Sequence, residues 1–176
     1  ESTDSLLLRE VVEKARDLDH IEKILLALRQ SLEQRDLSFL SCGISLIQTP
    51  KQPRSVQNFI LRGEEFYSEE IISNLLVEIW HAGTPNYRRD LDAEDFHGER
   101  EPLSTTYGQT VLSVLDVPFS HGTLAINSTQ AHAFSSADIA FLEELAQILS
   151  TSFTHMEQSA SSWPVPWPKG TKPTDP

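Results

Sequence analysis

Cysteine is almost absent from this chain of 176 residues: Cys42 stands alone. One thiol closes no internal disulfide and builds no thiolate zinc cluster, which fits a reducing cytoplasm. No apolar run approaches the roughly 18–20 residues of a membrane span. A basic-then-apolar leader is also missing from the start, so a signal peptide is expected to be absent or removed. Basic residues are scarce. Lys and Arg number 14 against 26 Asp and Glu, a net charge of −12. Phosphate backbones repel such a surface, so nucleic-acid partners are not expected. Membrane contact by this segment is not expected either. Catalytic vocabulary is thin as well: there is no Gly-x-Ser-x-Gly, no P-loop and no GxGxxG. His20, His81, His97, His121, His132 and His155 form no HxxxH or HExxH pair, so no sequence-local metal site is expected. With no catalytic residue to assign, the chain is expected not to be an enzyme.

What is present suffices for a core. Hydrophobic residues make up 39% of the chain, and the length suits one domain. The chain begins with Glu1 and ends in a proline-rich stretch, and is expected to be a piece of a longer protein. The acidic groups Glu10, Glu13 and Asp17, and Glu64, Glu65, Glu69 and Glu70, read as solvated faces.

Hydrophobic period sets the elements. Leu8, Val11, Ala15 and Leu18 predict a helix over 5–18. Ile21, Leu25, Leu28 and Leu32 predict another over 19–34, with Asp19 as cap and Glu22 completing a capping box. In 38–48 the period drops to two. Leu40, Cys42, Ile44 and Leu46 share one strand face; Ser41, Gly43 and Ser45 share the other. Pro50 and Pro53 demand a loop, and 55–62 is a second strand. Residues 68–83 read as a helix capped by Ser68 and stopped at Gly83. Residues 84–110 are long, polar and aperiodic. A hairpin follows: 111–119, apolar on both faces, then 123–128, with Gly122 expected to supply a positive φ in the turn. The last helix starts near Ser135 or Ser136 and carries two apolar stripes. Ile139, Leu142, Ala146, Leu149, Phe153 and Met156 form one; Phe141, Leu145, Ile148 and Ser152 form the other. From Ser159 the prolines forbid helix and central strand, leaving a tail with Trp163 and Trp167.

The stretch "VLDVPFSHGTLAINS" followed by "AFSSADIAFLEELAQILSTSF" resembles the closing half of a GAF domain, with Phe134 ahead of a capped helix and Asp138 in its first turn. "WHAGTPNYRRDL" resembles the family's passage from a helix through Gly and Pro into a short strand. The similarity spans roughly Asp19 to Phe153. It implies an α+β fold with an antiparallel central sheet of five or six strands. N- and C-terminal helices would pack on one face, and a loop-and-helix cover on the other. Three segments follow: a connecting helix 1–18, a sensory domain 19–158 and a tail 159–176. The resemblance further implies a cytoplasmic small-molecule sensor, as in two-component signalling. It would dimerise through helices 5–18 and 136–156 to control a separate effector: a kinase, cyclase or transcription regulator. No cofactor is named by these residues, and the ligand is unknown.

Cyclic-nucleotide-binding members carry Asn, Lys, then Phe, three residues, Asp, Glu. Asn127, Phe134 and Asp138 fit that pattern, but Ser128 replaces the Lys and Ile139 the Glu, which argues against a cyclic nucleotide. Cys42, inside an apolar strand, reads as a structural cysteine rather than a chromophore attachment. Methionine-sulfoxide reductases share this fold and use several cysteines, so the lone thiol argues against that activity too.

The long loop supplies the candidate site. Tyr87, Arg88, Phe96, His97, Arg100 and Tyr107 combine aromatic faces with cations suited to an anionic or aromatic small molecule. Asn127 joins them from the sheet, beside the small residues Ser41, Gly43 and Ser45. The competing reading pairs the arginines with Asp92, Glu94 and Asp95 at the surface. A second alternative is a ligand-free dimerisation scaffold whose pocket is filled by Phe96 and other side chains.

Overall fold

The computed structural model describes residues 5–14, 20–47 and 55–159. Asp19, the loop prolines and the tail with Trp163 and Trp167 lie outside the described residues, as do Ala15 and Leu18 of the first helix.

The elements run α1 (Leu6–Lys14), α2 (Ile21–Gln34), β1 (Ser41–Ile47), β2 (Ser55–Arg62), β3 (Glu65–Ile72), α3 (Asn74–Ala82), β4 (Asn86–Arg88), α4 (Arg100–Tyr107), β5 (Ser113–Phe119), β6 (Gly122–Ser128) and α5 (Ser136–Ser159). The strands form one six-stranded sheet in the order β3-β2-β1-β6-β5-β4, and every neighbouring pair is antiparallel. Both the α+β class and the antiparallel sheet agree with the expectation.

Strand alternation divides the molecule. Cys42, Ile44, Leu46, Leu115, Val117, Leu124 and Ile126 face a core shared with α1, α2 and α5. On the opposite face, Ile47 and Val56 pack against Val77 of α3, and Val114 packs with Tyr107 of α4. The predicted stripe of α2 is buried throughout: Ile21, Leu25, Leu28 and Leu32. In α1 the buried pair is Leu8 and Val12, with Val11 only partly covered. Leu40 also departs from expectation. It precedes the strand and packs with Leu91, Val111 and Val114 on the far side of the sheet.

Residues 68–83 are not one helix. Glu65–Ile72 is an edge strand, paired with β2 from Arg62↔Glu65 to Ser55↔Ile72. Gly63, at φ +55°, permits the hairpin turn between them. Only then does α3 begin, capped by Ser73, whose Oγ accepts from Leu76 N at 3.2 Å. The two glutamates after Ser68 imitate an acidic first turn; the ladder with β2 overrides them.

Gly122 is required for a different reason from the one expected. It is not among the positive-φ glycines. A Cβ there would lie 1.7 Å from the Ser45 carbonyl oxygen, so β6 and β1 approach too closely for any side chain.

Helix α5 opens with a reciprocal capping box: Ser135 Oγ accepts from Asp138 N at 3.1 Å, and Asp138 Oδ2 accepts from Ser135 N at 2.8 Å. Both of its apolar stripes lie within the chain's own core. Ala146 is 3% and Leu149 0% exposed, so neither is a free seam for a second copy.

Candidate functional site

A cavity of about 200 Å³ lies between the sheet and the α3–α4 cover. Its floor is built where residues are small. Ser41, Gly43 and Ser45 of β1 and Ala125 of β6 leave the space that larger side chains fill elsewhere on this face. Leu75 and Leu76 of α3 and Leu103 and Tyr107 of α4 roof it. The segment 84–110, expected as a loop, therefore contributes a strand and a helix to the site.

Arg88 enters the cavity wall from β4. Its Nε and Nη2 bond the two Glu99 oxygens at 2.8 and 2.9 Å. Nη2 also reaches Asp116 Oδ2 at 2.7 Å. Nη1 bonds Asn86 O at 3.1 Å and Asn86 Oδ1 at 3.2 Å. A guanidinium has five N–H donors, and each has an acceptor inside the protein. Asp95 holds Glu99 in place by accepting from the Glu99 and Arg100 amides at 2.7 and 3.1 Å. Burial pushes the Asp116 carboxyl above its ordinary range, against the opposing pull of Arg88. Burial also works against the Arg88 charge, but Asp116 and Glu99 more than offset it, so the guanidinium stays charged.

A second polar group lies on the floor. Ser41 Oγ sits 3.0 Å from Tyr107 Oη and 3.1 Å from Asn127 Oδ1, and Asn127 Oδ1 accepts from Ser41 N at 3.1 Å. Among the described residues, Asn127 Nδ2 and Asp116 Oδ1 have no hydrogen-bond partner. Both residues line the cavity, and they are 6% and 2% exposed.

The expected site residues separate into two groups. Arg88, Tyr107 and Asn127 line the cavity. The other four lie off it. Tyr87 is on the opposite sheet face, where its Oη accepts from Phe134 N at 2.9 Å and its ring packs 5.8 Å from that of Phe134. Phe96 is 84% exposed, so it does not fill the pocket as the scaffold alternative required. His97 is exposed. Arg100 pairs with Asp92 at 2.6 Å, the surface pairing read as the competing case.

Glu99 and Asp116 were missed. Asp116 carries a usable signal: an aspartate between Leu115 and Val117, in a strand apolar on both faces, is a buried charge that requires a partner. Glu99 has no comparable local signature.

Cys42 points to the core rather than to this chemistry. Burial pushes its thiol up to about 12, with Arg29 pulling the other way, so it is protonated at neutral pH.

The cover is tied to α5 through one turn. Trp80 Nε1, near the end of α3, donates to Ser120 O at 3.3 Å. Ser120 N donates to Ser150 Oγ of α5 at 2.9 Å. The neighbouring His121, 3% exposed, has its Nε2 2.9 Å from Glu157 Oε2. Among the described residues no helix is long and apolar enough to cross a membrane, and no cluster of His, Cys, Asp and Glu could hold a metal.

No protein-family model matches the sequence, and no curated protein matches it significantly. Solved structures do. The free methionine-R-sulfoxide reductase of Neisseria meningitidis, in complex with its substrate, superposes with a TM-score of 0.62 at 17% identity, covering 91% of this chain and 95% of its own. The GAF domain of an Acinetobacter phosphoenolpyruvate-protein phosphotransferase gives 0.59 at 19% identity, covering 92% and 99%. The GAF domain of a Bacillus halodurans two-component sensor histidine kinase gives 0.57 at 18%, covering 82% and 98%. The chain has the GAF fold. The same matches correct the expectation of a non-enzyme. Free methionine-R-sulfoxide reductases share this architecture, so the absence of familiar catalytic motifs does not exclude catalysis.

Proposed function

We propose that the chain is a small-molecule-sensing GAF domain of a larger cytoplasmic signalling protein. One observation carries this reading. A cavity lined by the buried residues Asp116 and Asn127, each with a polar atom unpartnered among the described residues, is roofed by α3, and α3 is hydrogen-bonded through the Ser120–His121 turn to α5. A ligand that favours one pose of α3 would shift that turn and, with it, the last turns of α5. Neighbours that are GAF domains of a phosphotransferase and of a sensor kinase support an effector, such as a kinase, cyclase or transcription regulator, elsewhere in the full protein.

Dimerisation belongs to the same proposal, with its seam moved. Beyond the small Ala137 and Ala140, the exposed positions of α5 are polar, among them Glu143, Gln147, Thr151, His155 and Gln158. Apolar exposure lies on α1 and α2 instead, with Leu6 54% and Leu26 38% exposed beside a groove lined by Leu7, Val11 and Ala27.

The test is a fragment screen followed by backbone NMR on the chain. The expected result is a set of shifts at Gly43, Leu76 and Asn127 that continue to Ser150 and Glu157. They should stop at the cavity in Trp80→Phe with Ser150→Ala. A screen with no cavity hits, or hits whose effects never reach α5 in the parent chain, would refute sensing.

A further inference from the structure

We propose that the cavity takes a small amphipathic cation: a protonated amine seated at Asp116 Oδ1, with an apolar body beneath Leu76 and Leu103. This inference rests on the cavity being a binding site, as proposed above, and names what it selects.

The charge balance decides the sign. Among the residues lining the cavity, Arg88 is the only cation, against Glu99 and Asp116. Its five N–H groups are all engaged by Asn86, Glu99 and Asp116. An incoming anion would therefore find no guanidinium donor and would face two carboxylates. A cation would find the reverse: Asp116 Oδ1 has no partner among the described residues, on a side chain only 2% exposed. Burial is what raises the Asp116 carboxyl, against the pull of Arg88, and an ammonium at Oδ1 would favour its charged form in the same way that Arg88 does. An ammonium at Oδ1 completes the cluster, since a charge-assisted bond is about twice as strong as a neutral one.

The second observation is independent of charge. Asn127 Nδ2 is likewise unpartnered among the described residues on a 6%-exposed side chain. Asn127 follows two residues after Ala125, which pairs with Asp116, so both polar groups share one sheet face. Diagonal neighbours of this kind lie about 7–8 Å apart. Between them and the cover, Ile60, Leu76, Leu103 and Val114 are apolar. The volume of about 200 Å³ is below the usual range of drug-sized sites. These features together favour a short amine with a compact hydrocarbon body.

The experiment uses three probes with one ring and different heads: cyclohexylammonium, cyclohexanol and cyclohexanecarboxylate. Each is titrated at pH 7 and moderate salt, with binding read from the shifts of Asn127 and Leu76. Those site-specific shifts separate cavity binding from general attraction to an acidic chain. The ammonium should bind at least about tenfold tighter than the carboxylate, a difference of about 1.4 kcal/mol. Asp116→Asn should remove that preference. Glu99→Gln, farther from the sheet interior, should weaken it by several fold and serves if the first variant fails to fold. Equal or tighter binding of cyclohexanol or the carboxylate at the cavity overturns the cation inference and leaves the sensing reading intact. Absence of cavity shifts with any probe at millimolar concentration overturns both.

Discussion

Arg88 is the residue on which the cover depends, because it joins β4 to α4 through Glu99 and to β5 through Asp116. Its side chain is only 9% exposed. Lysine keeps the charge but loses the fork that meets several acceptors at once. Arg88→Lys is therefore expected to cost about 3 kcal/mol in urea denaturation, the scale for breaking a buried charge network. Gly122→Ala is expected to cost a similar amount, about 3 kcal/mol, because the new Cβ meets the Ser45 carbonyl in the backbone itself. Cys42 yields a pH prediction. Its thiol titrates near 9.0 when unfolded and at about 12 when buried. Between those values the unfolded chain has released the proton and the folded chain has not. Stability is thus full below pH 9 and falls as pH rises toward 12, by a few kcal/mol in total. Denaturation at pH 8 and pH 11 should reveal the loss, and Cys42→Ala should flatten it. At this scale the sequence speaks unevenly. Asp116 announces itself by its apolar flanks; Arg88 looks like any loop arginine until its acceptors are in view.

At the scale of elements, α5 and the β5–β6 hairpin follow local rules. Ser135 and Asp138 complete the capping box that their spacing implies, and Ser135→Ala should cost about 1 kcal/mol in thermal or urea melts. The strand β3 shows the limit of such rules. Ser68-Glu69-Glu70 satisfies the preferences of a helix start, yet pairing with β2 along the whole strand decides the matter. A strand's hydrogen-bonding partners are non-local, so no window around residue 70 contains the answer. Tyr87 is a second case. It lies next to Arg88 in sequence, but successive side chains of a strand point to opposite faces. Arg88 reaches the cavity, while Tyr87 anchors the entry to α5 by accepting from Phe134 N. Tyr87→Phe should cost about 1 kcal/mol without altering any cavity titration, a pair of readouts that separates anchoring from ligand contact.

The whole molecule places its sheet between two unlike layers. One is an apolar core with α1, α2 and α5; the other is a cover of α3 and α4 with a cavity beneath it. The Ser120–His121 turn touches both layers, which gives the cover a short physical route to α5. For assembly, the burial of Ala146 and Leu149 in the chain's own core makes them unsuitable test positions: Ala146→Glu and Leu149→Glu would unfold the chain. Leu6→Glu with Leu26→Glu is the informative pair. Size-exclusion chromatography with light scattering should show a monomer in place of a dimer, with a melting temperature within a few degrees of the parent's, since both side chains are exposed. A dimer that persists would place the seam elsewhere.

The sequence by itself determined the helical and strand periods of α2, β1, β6 and α5 and the cap of α5, because each rests on residues near one another in the chain. It also marked the small residues that leave room on the sheet. Only the tertiary structure decided which face each strand turned to the cavity, that residues 65–72 joined β2, and that Arg88 was already engaged by Glu99 and Asp116. Those outcomes depend on strand register and on acceptors 11 and 28 positions away. A contact across that separation exists only once the chain has folded.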